Sequence, residues 1–131
     1  MKDNHDMENR KQIWIALSEF YLDTQLTPED FDRISSIFQN SGLHINDIKE
    51  IDILEVFPLL QTNLVSAAGS WAGFDEDWLV AECTKRYKRR NNVLHKLSCK
   101  FWNSLFYSMR RDYWEQIETR MNVTNERNSY H

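Results

Sequence analysis

Glycine, proline and cysteine are scarce in this chain, with three, two and two residues among 131. So few glycines exclude the clustered backbone N–H donors that cradle phosphates, and neither GxGxxG nor GxxxxGKS/T occurs. Two cysteines, Cys83 and Cys99, are too few for a disulfide framework and fit free thiols in a reducing compartment. No apolar run approaches the ~20 residues that cross a bilayer, and the opening MKDNHDMENRK lacks an apolar h-region. The expectation is a cytoplasmic protein with no membrane contact. GxSxG is absent, and His5, His44, His95 and His131 are scattered without the spacing of a nucleophile, base and orienting acid.

What is present argues for a folded body. Apolar residues make up 41% of the chain and aromatics 13%, with five tryptophans spread from Trp14 to Trp114, which excludes a disordered polymer. The length suits one hydrophobic core. Ile13, Trp14, Ala16, Leu17, Phe20 and Tyr21 follow helical spacing and predict a first helix over residues 6–21. Thr27-Pro28-Glu29-Asp30 is a start signal, with a capping hydroxyl, a proline suited to the first turn and carboxylates at the positive end of the dipole. Gly42 can end that helix in the left-handed conformation. A third helix from about residue 46 carries Ile48, Ile51, Leu54 and Phe57 and meets Pro58, which ends or kinks it and can open a fourth. Asp75 caps a fifth helix over residues 76–90, Asn91-Asn92 break it, and Leu94 to Met121 fit one long helix or two shorter ones. The fold class is all-α, a single-domain bundle of about five to seven helices over residues 1–121 with a flexible tail at 122–131.

The net charge of −4 hides an asymmetry. Residues 18–82 hold two basic side chains against thirteen acidic ones, whereas residues 83–131 hold eleven basic against four acidic. Such polarity serves either complementarity within the chain or the steering of charged partners. The acids group as Glu19 with Asp23, Glu29 with Asp30 and Asp32, Asp52 with Glu55, and Asp75, Glu76 and Asp77. Helix caps and solvated faces account for most of them, and none shows the paired, unequal environments that acid–base catalysis needs. The basic run KRYKRR, residues 85–90, is a candidate phosphate contact with Tyr87 available for stacking, or else a pairing partner for the acidic half. His95 and Cys99, four apart, share a helical face and with Cys83 make a weak zinc candidate, outweighed by a cysteine packed as a small hydrophobe. No metal and no cofactor are assigned.

Several stretches together resemble an uncharacterised family of small bacterial helical proteins. They are W-x-A-L-S-E-F-Y-L-D-T at residues 14–24, E-V-F-P at 55–58, N-L-V-S-A-A-G-S-W-A-G-F at 63–74, and W-L at 78–79. The resemblance covers about half the chain and implies a helical fold and a bacterial setting, with no catalytic residue to carry across. The glycines of its G-x-x-x-G mark close backbone approach. The general look is similar to that of immunity proteins, which neutralise interbacterial toxins without chemistry of their own. The expectation is therefore a non-enzymatic binding protein whose acidic surface covers the basic cleft of a cognate toxin domain. Its candidate contacts are Glu19, Asp23, Asp52, Glu55, Asp75, Glu76 and Asp77, with Trp71, Phe74 and Trp78 as anchors. The alternative is a nucleic-acid-associated regulator using the basic C-terminal third.

Overall fold

Each helix starts where the sequence supplies a group to satisfy its free N–H donors. A computed structural model describes residues 2–21, 26–65 and 75–129, and within them α1 spans Lys2–Ser18 and α2 spans Pro28–Asn40. Thr27 and Asp30 form a reciprocal capping box: the Asp30 N–H donates to Thr27 Oγ1 at 3.2 Å and the Thr27 N–H to Asp30 Oδ2 at 2.9 Å. Such a cap contributes about 1 kcal/mol. Gly42, at φ 77°, takes the chain out of α2 in a conformation that side chains with a Cβ disfavour.

The first helix tightens into a 3-10 turn at Glu19–Tyr21, then α3 covers Ile45–Ile51 and α4 covers Phe57–Val65. Between α3 and α4 the backbone neither ends nor kinks; it widens into a π turn, Asp52–Val56. The further helices are α5 at Glu76–Lys88, α6 at Val93–Phe106 and α7 at Arg111–Ser129, which runs on into the residues expected to form a tail. Asp75 and Asn92 cap α5 and α6 through the N–H groups of Trp78 (2.8 Å) and His95 (3.0 Å). The described residues contain no strand, and the all-helical expectation holds.

The core is built where α1, α2 and α7 meet. Trp114 of α7 lies edge-on to Phe20 at 5.2 Å and stacks on Phe38 at 6.1 Å, with Ile13, Leu17, Ile34 and Ile117 closing around them. Aromatic pairs of this geometry contribute about 1 kcal/mol beyond their burial. The opposite charges of the two halves meet across the same elements: Arg120 of α7 reaches Asp32 of α2 at 2.7 Å, and Glu118 pairs with Lys49 of α3. Part of the sequence's charge polarity is thus spent on holding the bundle together.

Candidate functional site

Pro58 explains why a site forms at the π turn. In α register the Leu54 carbonyl would accept from the backbone N–H of residue 58, and proline has none. The turn widens instead: the Phe57 N–H bonds to the Asp52 carbonyl five residues back. His95 of α6 takes the Leu54 carbonyl through Nε2 at 2.9 Å. A side chain 41 positions away in sequence therefore completes the helix's hydrogen bonding, and it fixes which face of α6 looks inward.

The same widened turn points two acids into the protein. Asp52 and Glu55, three apart and so on one helical face, are each only 1% exposed. Glu55 accepts from Trp14 Nε1 at 2.9 Å and, bidentately, from Arg10 Nε at 2.9 Å and Nη2 at 2.8 Å. Asp52 accepts the Tyr21 hydroxyl on Oδ1, and on Oδ2 it accepts Arg110 Nε at 3.2 Å and Nη2 at 3.1 Å. Arg110 is fully buried; it also donates to Asn103 of α6, and its guanidinium lies 4.7 Å from the Phe57 ring centroid and 5.5 Å from that of Tyr21. Taking these charges out of water costs several kcal/mol per ion, and the fork geometry with its extra donors offsets that cost.

Burial pushes the Asp52 carboxyl above its ordinary range, against the pull of Arg110. The same burial, with the Asp52 charge beside it, pushes the Tyr21 phenol well up, so Tyr21 stays a donor at neutral pH. A cavity of about 170 Å³ adjoins this network, lined by Lys49, Asp52, Asn103, Tyr107, Arg110 and Trp114. Perturbed acids beside a cavity are what a catalytic centre looks like. Here, however, every oxygen of Asp52 and Glu55 is engaged by a donor of the chain itself, which leaves the pair suited to clasping helices rather than to exchanging protons with a substrate.

Two of the expected surface contacts are therefore corrected. Asp52 and Glu55 lie on no acidic surface: their partners Arg110 and Arg10 sit far along the chain and draw them inward. Glu19 is partly buried and held by both Arg33 Nη atoms at 2.7 Å. Asp75, Glu76 and Asp77 are exposed in the first turn of α5 beside Trp78, which is 45% exposed. Asp23, Trp71 and Phe74 lie outside the described residues, as do both glycines of the G-x-x-x-G.

The basic run is largely occupied too. Lys85 and Arg86 pair with Glu82 at 3.0 and 3.1 Å, and Arg90 folds back onto the Tyr87 carbonyl at 2.9 Å. The Tyr87 ring carries the guanidiniums of Arg10 and Arg90 at 4.3 and 3.9 Å from its centroid, so its faces are already taken. Cys83 and Cys99 are free, buried thiols, and burial pushes Cys83 up to about 12. Cys99 Sγ lies 3.5 Å from His95 Nε2, but no group of three or more His, Cys, Asp or Glu among the described residues is placed to hold a metal ion. Nor is any described helix long and apolar enough to cross a membrane.

With α6 pinned by His95 and Asn103, its other face is left to solvent. Val93, Leu94, Leu97 and Phe101, spaced by three and four, are exposed at 67, 78, 61 and 60%, with Trp102 beside them. The family comparison spans all of this: a model for a domain of unknown function, DUF7079, matches residues 8–120. The chain belongs to the DUF7079 family. The match takes in both the π turn and the whole of α6, so the buried clasp and the open apolar face lie within the family's domain. No curated protein and no solved structure matches this DUF7079 chain.

Proposed function

We propose that this DUF7079 protein works by recognition rather than turnover, as a non-catalytic binding protein. The observation that carries the reading is the open apolar face of α6. Exposed apolar side chains scattered singly mean little, but a stripe of them two turns long on an otherwise packed helix marks a contact surface. The buried acids support it from the other side, since their oxygens are all engaged within the fold.

In its specific form the proposal is an immunity protein of a bacterial cell, held in the cytoplasm, that blocks the active site of a cognate toxin domain. The contact set then shifts from the expected one. The apolar stripe of α6 supplies the anchors, and the exposed acids Asp75, Glu76 and Asp77 with Trp78 supply charge and an aromatic contact. The nucleic-acid reading has less support, because the basic run is tied to Glu82 and its tyrosine is covered.

The test is co-expression with the C-terminal domain of a toxin encoded beside it, followed by co-purification and a toxicity assay. A complex that protects the host and is lost in the triple variant Leu94→Ser, Leu97→Ser, Phe101→Ser is the expected result. Unchanged protection by a correctly folded triple variant refutes α6 as the contact surface, and absence of any complex at micromolar concentration refutes the proposal.

A further inference from the structure

The apolar face of α6 cannot be hidden by a rotation of the helix. Its inward side is held at two points, His95 Nε2 on the Leu54 carbonyl and Asn103 on Arg110, and Cys99 is buried between them. Turning α6 to cover Leu94 and Phe101 would break both contacts and leave a buried guanidinium short of an acceptor. From Val93 to Trp102 the stripe is about 14 Å long, the length of two and a half helical turns. Phe101 and Trp102 meet edge-to-face at 5.7 Å and so present a preformed knob at its end.

The charge on this helix is of one sign. Val93–Phe106 contains no aspartate or glutamate; it carries Lys96 and Lys100, each next to a stripe residue, and neither lysine forms an ion pair among the described residues. Arg89 and Arg90 precede it. Three features therefore define an occupant: apolar residues at intervals of three and four, two or more turns of length, and carboxylates along the flanks. Resting on the binding-protein reading above, we infer that α6 docks an acidic amphipathic helix of the partner protein. A second copy of this chain fits badly, because it would bring lysines against lysines. Single-stranded nucleic acid fits badly as well, because Val93, Leu94 and Leu97 offer no face on which a base can stack. An anionic bilayer gains little long-range attraction from a chain of net charge −4.

Two synthetic helical peptides provide the test. They share one leucine face at i, i+3, i+4 and i+7, and one carries glutamates on its flanks where the other carries lysines. Titrated into the full-length ¹⁵N-labelled protein, the acidic peptide shifts the amides of residues 93–102 and binds at least about tenfold tighter than the basic one, as expected for charges that steer and select a partner. Lys96→Glu with Lys100→Glu reverses that preference, and Leu97→Ser with Phe101→Ser removes binding of both peptides. Equal binding of the two peptides, or preference for the basic one, overturns the inference and leaves the binding-protein reading standing. So does stripe-dependent co-sedimentation with phosphatidylserine vesicles, or stripe-dependent dimerisation of the protein alone. Failure of both peptides to bind also overturns the inference, and the binding-protein reading falls with it only if the triple variant still protects against the toxin.

Discussion

The π turn and α6 lie against each other yet treat polarity in opposite ways. The turn places two carboxylates and a guanidinium inside the protein, and α6 places leucines, a phenylalanine and a tryptophan outside it. Both arrangements follow from one cause. Proline at 58 leaves a carbonyl without its donor, the turn widens, and α6 is recruited by its polar side, through His95 and Asn103, to complete the bonding. A helix docked by its polar stripe has only its apolar stripe left for solvent. The usual rule for surface helices is inverted here by a hydrogen-bonding need, and the same need creates the contact surface.

The contrast yields an unusual ranking of mutations. Removing charge from the interior has the largest effect: Asp52→Ala or Arg110→Ala leaves its partner buried without an opposite charge and lowers the unfolding free energy by about 3–5 kcal/mol in urea denaturation. The paired change Asp52→Leu with Arg110→Met recovers most of that loss; if it does not, the clasp owes its stability to more than the two charges.

A second measurement concerns protons. Because burial raises the folded carboxyl of Asp52 above its unfolded value, this group contributes stability that is fully present below the ordinary value of 3.8 and is lost as pH rises through the folded value. The stability of the natural protein relative to Asp52→Asn is therefore greater in acid than at pH 7. A difference that grows with pH would show that Arg110 outweighs burial.

The link between the two regions is tested by a double-mutant cycle. His95→Ala costs about 1–2 kcal/mol by orphaning the Leu54 carbonyl. Restoring a backbone donor with Pro58→Ala reduces that cost, giving a coupling of about 1 kcal/mol; additive effects would separate the proline from the histidine. Gly42→Ala costs about 1 kcal/mol through its backbone alone, since a Cβ there meets open space. Smallest of all, Leu94→Ser and Leu97→Ser stay within about 0.5 kcal/mol of the natural protein, an outcome that separates a solvent-facing stripe from a core one.

The elements legible in the sequence were those specified locally. Thr27-Pro28, Asp75, Gly42 and the Asn91-Asn92 break act within one turn of themselves, and the helices begin or end at them. What could not be read depends on partners remote in the chain. Asp52 and Glu55 look like any solvated pair until Arg110 and Arg10 arrive from 58 and 45 positions away. Periodicity in α6 shows which residues share a side, yet both sides have a repeat: Leu94, Leu97 and Phe101 on one, His95, Cys99 and Asn103 on the other. Choosing between them requires knowing that a carbonyl in another helix lacks a donor. Pro58 was the available signal, read as a stop or a kink when its effect is a change of register.

That change of register also bears on how the chain tolerates insertions and deletions. A π turn holds one residue more than the α-helix it interrupts, so deleting a single residue from Asp52–Val56 would return the segment to ordinary pitch and rotate α4 by about 100° relative to α3. Phe57 and Leu60 would swing out of the interior together. Between Ile51 and Phe57 the length of the polypeptide is thus as much a determinant of the architecture as its composition.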